Sequence, residues 1–372
     1  MSTEVRTPQT AAAPSSPPPE EGGGGESLVQ RVVKMQAFQI LLVLLVIVIV
    51  FSTLAPNNFA NVGNARSIVL NASILAILGV GMTFVIVTSG IDLSIGSVMV
   101  FSGVIGAKAM IAVGGDSWGT AFVGIGVSLL TGLAWGLFNG FLIAKAKVPP
   151  LIVTLGSLGM ALGLAQIITK GVDIREVPQV MQDEIGYGNV VGQLPVLTVI
   201  AVVVVALGIV VLHHTRFGRY TYAVGSNEES ARRVGVKVDR HLIKVYALSG
   251  VLSGFAGVLF LAQFGTTAIA GQTQTNLNVI AAVVIGGTSL FGGVGTIFGT
   301  VVGLFIPAVL QNGFVIVGIQ PFWQQVAVGA VLIAAVYVDQ VRRASAARGG
   351  KKSTHPRFRP GAKKTSPVEQ GE

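Results

Sequence analysis

The only carboxylate enclosed between two long apolar runs is Asp92, in Gly90-Ile91-Asp92-Leu93-Ser94-Ile95-Gly96. An ionisable group near membrane depth marks a functional site by default. Aspartate is equally a good N-cap, and the Gly90 break puts Asp92 at the start of the run that follows, so capping is the favoured reading. Neutral polar or aromatic groups lie inside or beside apolar runs: Asn71, Thr83, Trp135, Asn139 and Gln263. They are the groups that would hydrogen-bond a hydroxylated solute without a fixed charge, or, more simply, join helices to one another. Lys108 sits near the end of its run and is expected to snorkel to a headgroup layer.

Other chemistry is missing from the pattern. Gly349-Gly350-Lys351-Lys352 lacks the glycine spacing and the Ser/Thr of a Walker A loop, so no ATP is expected on this chain by that route. No GxSxG, HExxH or in-membrane acid pair occurs. His213 and His214 are adjacent, share no helix face, and read as interfacial groups rather than metal ligands. Glu228 and Glu229 are also neighbours and cannot act as an acid–base pair over one substrate. The chain has no cysteine, which excludes disulfides and thiol chemistry. No catalytic residue, metal or cofactor is therefore assigned.

The longest charged stretch between apolar runs is His214 to Lys244. Ser226 and Glu229 have capping-box spacing, Glu228 and Glu229 suit a helix N-terminus, Arg232 and Arg233 suit its C-terminus, and Gly235 supplies a left-handed stop. This predicts a capped helix of about two turns around Ala231. Presented at a membrane face, such a helix is a docking element; the plainer alternative is a solvated connection.

These features must be positioned by a membrane scaffold. Of 372 residues, 51% are hydrophobic and only 11% charged, with mean hydropathy +0.73. Soluble domains carry about 25% charged residues. The expected fold is an all-α polytopic membrane protein with about ten transmembrane helices and Gly-interrupted segments. The spans are expected at 37–54, 67–88, 95–113, 120–143, 149–170, 196–212, 245–264, 279–290, 296–310 and 322–337. The eighth is short and runs into glycines, so it is broken or re-entrant. Residues 1–30 form a Pro/Gly-rich tail expected to be disordered, 31–341 the transmembrane domain, and 342–372 a basic, disordered tail. The first span reads as retained, without a cleavage site.

The net charge of +9 is no nucleic-acid signal, because the basic residues gather at Lys145 and Lys147, in 214–244 and in the tail. With both termini cytoplasmic, all of these fall on one side, as the positive-inside rule requires. The acidic stretch with Asp173, Glu176, Asp183 and Glu184 falls outside. Two four-residue glycine ladders, Gly132, Gly136, Gly140 and Gly295, Gly299, Gly303, allow close helix approach. Gly90–Gly96 also faintly resembles Gly287-Thr288-Ser289-Leu290-Phe291-Gly292-Gly293. Paired glycine-interrupted segments in two halves point to a transport site. Asn71, Thr83, Gly90, Asp92, Ser94, Gly287, Thr288 and Ser289 are therefore the candidate translocation path.

Four motifs carry a family resemblance: GMTFVIVTSGIDLSIGSV (Gly81 to Val98), TRFGRYTYAVGSNEESARRVGV (Thr215 to Val236), IAAVVIGGTSLFGGVGTIFGT (Ile280 to Thr300) and PFWQQVAVG (Pro321 to Gly329). In this order they resemble the permease subunits of ribose/xylose/galactose-type ABC sugar importers, from the second span to the tenth. The resemblance implies a cell-membrane permease for a monosaccharide. It implies a second permease copy, a cytoplasmic ATPase that holds ATP and Mg, and an extracytoplasmic sugar-binding protein. It makes the 226–235 helix the coupling helix, with Ser226, Glu228, Glu229, Ala231, Arg232, Arg233 and Gly235 as ATPase-coupling residues. Glu229-Ser230-Ala231 followed by Gly235 is similar to the Glu-Ala-Ala-x-x-x-Gly loop of ABC importers, with Ser230 for the middle alanine and no Ile-x-Leu-Pro downstream. Two alternatives stay open: an ion-coupled secondary transporter of small polar solutes, for which Asp92 is nearly the only ionisable candidate, and an ABC permease for amino acids or nucleosides.

Overall fold

The computed structural model describes residues 36–269, 273–320 and 322–349; residues 1–35 and 350–372, which include most of both expected tails, lie outside the described residues. Among the described residues the architecture is all-helical. One isolated bridge, Asn189 with Pro195, is the sole β-type pairing.

The helices in order are α1 (Gln36–Leu54), α2 (Pro56–Phe59), α3 (Val62–Val87), α4 (Ile95–Val113), α5 (Trp118–Ala144), α6 (Pro150–Thr169) and α7 (Gln179–Met181), which passes into a π turn, Gln182–Gly186. Then come α8 (Val196–His214), α9 (Arg216–Ser226), α10 (Glu228–Arg233), α11 (Val238–Phe264), α12 (Thr273–Ile285), α13 (Ile297–Ile316) and α14 (Phe322–Gly349). Local chemistry sets the starts. Asn61 accepts from the Asn64 amide at 2.8 Å, Thr296 from the Gly299 amide at 3.0 Å, and Pro150 occupies the first turn of α6.

Seven of these helices, α3, α4, α5, α6, α8, α11 and α13, are long and apolar enough to cross a membrane, and three shorter apolar helices lie in α1, α12 and α14. The chain is a polytopic, all-α membrane protein. α14 continues to Gly349, past residue 342, where the sequence suggested a tail would begin.

The bundle is centred on α3, α4 and α11. Ile77, Leu78, Met82, Met99, Val104 and Leu259 interlock there, each at most 2% exposed. α5, α6 and α8 lie outside and turn Leu130, Phe141, Ile152, Leu155 and Val202 outward, an apolar surface that suits lipid rather than water. α5 and α11 approach each other closely along the first glycine ladder. A Cβ on Gly132, Gly136 or Gly140 would run into the backbone of Gly250, Tyr246 or Ile243. Ser128 Oγ donates to the Gly254 carbonyl at 2.9 Å along the same seam. In the second ladder, Gly299 and Gly303 of α13 abut the carbonyls of Gly286 and Ala282, whereas Gly295 precedes the helix and faces Thr288.

α12 has thirteen residues, about 20 Å of helix, and cannot cross a ~30 Å hydrocarbon core alone. It stops at Gly286, turns at Gly287 (φ +93°), and the chain returns through 288–296 to α13. A matching break at 88–94 separates α3 from α4, with Ser89 left-handed at φ +63°.

Candidate functional site

Three features on this scaffold could carry chemistry. The first is a buried polar cluster at the 88–94 break. Asp92 is 4% exposed. It accepts from the Ser94 amide at 2.9 Å, Ser94 Oγ at 2.6 Å and Ser249 Oγ at 3.2 Å. Asn139 of α5 donates to Ser94 Oγ at 3.0 Å and accepts from Ser157 of α6. Four elements are joined through one carboxylate, with no Lys, Arg or His ion pair to it among the described residues. The capping expectation is corrected in detail. Asp92 closes a turn onto Ser94, while the first turn of α4 is capped from outside, the Gly96 amide donating to Asn276 Oδ1 of α12 at 2.6 Å. Sequence reading missed Asn276, because a cap supplied 180 residues away leaves no local signal.

The second feature is the charged segment. The capping-box expectation fails on geometry. Ser226 ends a separate helix, α9, and Asn227 is the cap, its Oδ1 accepting from the Ser230 amide at 2.8 Å. Asparagine outcompetes serine here because Asn227 is extended (φ −162°) while Ser226 is still helical. Glu229 does not reach back; it pairs with Arg233, and Glu228 pairs with Arg232 at 2.8 Å. Gly235 does turn left-handed, at φ +89°. α10 itself has six residues, shorter than two turns, and Ala231 is its buried contact with α9 and α11.

Arg232 also meets Asp239 of α11, which holds Lys147 at 3.1 Å and Lys145 at 3.4 Å. These contacts hold the Arg232 guanidinium above its ordinary pKa, first through the Glu228 hydrogen bond and then through Asp239. Three cations on one partly exposed carboxylate tie the loop after α5 to α10 and α11. On α9, Tyr222 donates to the Gly295 carbonyl at 2.7 Å, and burial pushes its phenol up. His213 stacks on Tyr222 at 6.2 Å, and no cluster of three metal-ligating side chains occurs among the described residues.

The third feature is a cavity of about 490 Å³ between α3, α4, α11, α12, α13 and α14. Its liners include Phe260 and Phe264 at the far end of α11, about 40 Å of helix from α10. Six carboxamides face it: Asn71, Gln274, Asn278, Gln311, Gln324 and Gln325. Phe260, Phe264, Phe322 and Met99 supply apolar walls, and among the described residues no charged side chain lines it.

The expected path residues separate. Asn71 lines this cavity, near Gln263 at 3.5 Å. Thr83 instead bonds Thr300 of α13 at 2.7 Å in a fully buried contact. Gly90, Asp92 and Ser94 belong to the buried cluster, and Gly287, Thr288 and Ser289 to the second break. Trp135 packs edge-on against Phe101 and Phe138 beside an apolar groove, not a polar path. Lys108 is exposed. Gln274, Asn278 and Gln311 were not singled out from sequence; Gln324 and Gln325 stood inside the PFWQQ motif without a role. The missed signal is three amide-bearing helix ends near residues 274, 311 and 324.

A multi-pass helical bundle with paired glycine breaks, a charged helix at one end and an uncharged polar cavity toward the other is a membrane transport component. Residues 64–336 match the family model described as branched-chain amino acid transport system, permease component. The chain belongs to that family of permease components, and is not itself an enzyme. It is 36% identical over 300 residues to the ribose import permease protein of Escherichia coli (strain K12), covering 79% of this chain and 90% of that one. It is 36% identical over 307 residues to the fructose import permease protein of Rhizobium meliloti, covering 80% and 84%. It is 34% identical over 294 residues to the D-allose transport system permease protein of Escherichia coli (strain K12), covering 78% and 88%. No solved structure matches it.

Proposed function

We propose that this chain is the transmembrane permease subunit of an ATP-driven importer and forms the path for a monosaccharide. The observation that carries the sugar reading, over an amino acid, is the cavity's lining: six carboxamides, aromatic walls and, among the described residues, no charged side chain. A carboxamide is donor and acceptor at once, as a sugar hydroxyl is, so each can meet a neutral polyol in either sense. An amino acid would bring an ammonium and a carboxylate into a site with no counter-charge, at a desolvation cost. The volume lies within the usual range for small-molecule sites. The sugar import permeases among the relatives agree with this reading.

On the same reading the chain makes about ten crossings with both termini cytoplasmic, domain 31–341 being the permease and 1–30 and 342–372 its tails. α10, with Ser226, Glu228, Glu229, Ala231, Arg232, Arg233 and Gly235, docks a separate cytoplasmic ABC ATPase that holds ATP and Mg. An extracytoplasmic sugar-binding protein delivers the sugar to the opposite end, where Asp173, Glu176, Asp183 and Glu184 steer it. A second copy of the chain completes the pore. The test is affinity purification from gently solubilised native membranes, with partners identified by mass spectrometry. Recovery of a Walker-bearing ATPase is expected; reproducible recovery of this chain alone would overturn the proposal.

A further inference from the structure

Three segments far apart in the chain meet at Ser89. Its hydroxyl lies 3.1 Å from the Gly225 carbonyl and 2.9 Å from the Phe291 carbonyl. Gly225 is the penultimate residue of α9, two residues before Asn227, the cap of α10. Phe291 lies in the second glycine break, and Ser89 in the first. The Gly293 amide donates to the Val87 carbonyl at 2.9 Å, tying the second break to the last residue of α3. A Cβ on Gly225 would strike Val87 O and the Gly293 amide, so no other residue allows this approach.

A serine hydroxyl carries one proton, so two carbonyls at comparable distance compete for it. One acceptor moves with α9 and α10; the other belongs to the break that feeds α13. The seam is made of hydrogen bonds between the two breaks and the ends of α3 and α9. Such a joint can be remade without dismantling a packed core. One turn of α9 holds both Gly225 and Tyr222, whose hydroxyl donates to the Gly295 carbonyl of the second break, and Gly225 lies two residues before the cap of α10, so a displacement of α10 acts on Gly225.

We propose that Ser89 is a positioning residue, a latch through which movement of α10 is passed to both glycine breaks together. The proposal rests on the permease reading and on α10 as its ATPase-docking helix. Ser89→Gly accepts the left-handed backbone without strain and removes the hydroxymethyl group, so both hydrogen bonds are lost without adding backbone strain. Ser89→Asn tolerates the same backbone and carries two N–H donors, one for each carbonyl.

The test uses the complex purified from native membranes with its partners, reconstituted in proteoliposomes. Labelled ribose, fructose and allose are the probes, and sugar moved per ATP hydrolysed is the readout. Ser89→Gly is expected to lower that ratio about fivefold, the loss of one modest hydrogen bond, while ATP hydrolysis stays within about twofold of wild type. Ser89→Asn is expected to restore it. An unchanged ratio in Ser89→Gly overturns the latch alone, as does a parallel fall in uptake and hydrolysis or a failure of Ser89→Asn to rescue. A wild-type complex that moves none of the three sugars with ATP overturns the permease reading and the latch with it.

Discussion

Replacing Asp92 separates a structural carboxylate from one that carries protons. In Asp92→Ala, the Ser94 amide, Ser94 Oγ and Ser249 Oγ all lose their acceptor. Each stranded buried donor costs about 1–3 kcal/mol. The hydroxyls can rotate toward other acceptors; the amide cannot. The net loss is therefore expected at about 2–4 kcal/mol rather than the full sum. Asp92→Asn keeps one oxygen for the Ser94 amide, and its NH₂ group can donate to Ser249, whose hydroxyl turns to accept. Its loss is expected below about 1 kcal/mol. Unfolding in mild detergent, followed by fluorescence of Trp118, Trp135 and Trp323, measures both, and sugar uptake by the reconstituted complex is measured alongside. Asp92→Asn should transport at close to the wild-type rate. Wild-type stability in Asp92→Ala would refute the structural reasoning. A well-folded Asp92→Asn without uptake would show that the ionisable group itself is used, and would favour an ion-coupled mechanism.

Gly136→Ala forces a methyl group against the Tyr246 carbonyl across the α5–α11 seam; a loss of about 1–3 kcal/mol is expected in the same unfolding assay. Gln274→Ala or Asn278→Ala removes one carboxamide from the cavity and should raise the concentration for half-maximal uptake about two- to tenfold, with ATPase activity unchanged. Glu229→Lys changes an exposed residue of α10; it should leave stability unaltered and abolish stimulation of ATP hydrolysis by sugar-loaded binding protein. Asp239→Asn releases Lys145, Lys147 and Arg232 from a solvent-screened cluster, so its stability cost should be about 1 kcal/mol or less.

The scaffold was legible because lipid makes a simple demand. Uninterrupted apolar runs must be helices, and α3, α4, α5, α6, α8, α11 and α13 fall where those runs lie. The glycine break at Gly286-Gly287 was legible, but the helix before it runs 273–285 rather than the expected 279–290. Local chemistry was read less well. Ser226 and Asn227 are both good caps, and only the backbone of α9, unforeseen because its amphipathic residues were read as loop, decides between them. The cavity was least legible. Asn71, Gln274, Gln311 and Gln324 lie on four helices, and a single polar side chain on an apolar helix is usually interhelical glue, as Thr83 and Asn139 turned out to be. Only the packing of α12, α13 and α14 beside α3 brings those ends to one space. The meeting of Ser89, Gly225 and Phe291 likewise has no sequence signature, because it runs through backbone carbonyls.

The most direct test of an ATP-driven sugar permease is uptake of labelled ribose, fructose and allose into proteoliposomes containing the purified complex. ATP is sealed inside, binding protein is supplied outside, and a protonophore is added in parallel samples. The account predicts uptake of one or more of these sugars that requires ATP, survives the protonophore and is not displaced by excess leucine. Uptake without ATP that collapses with the proton gradient would contradict it.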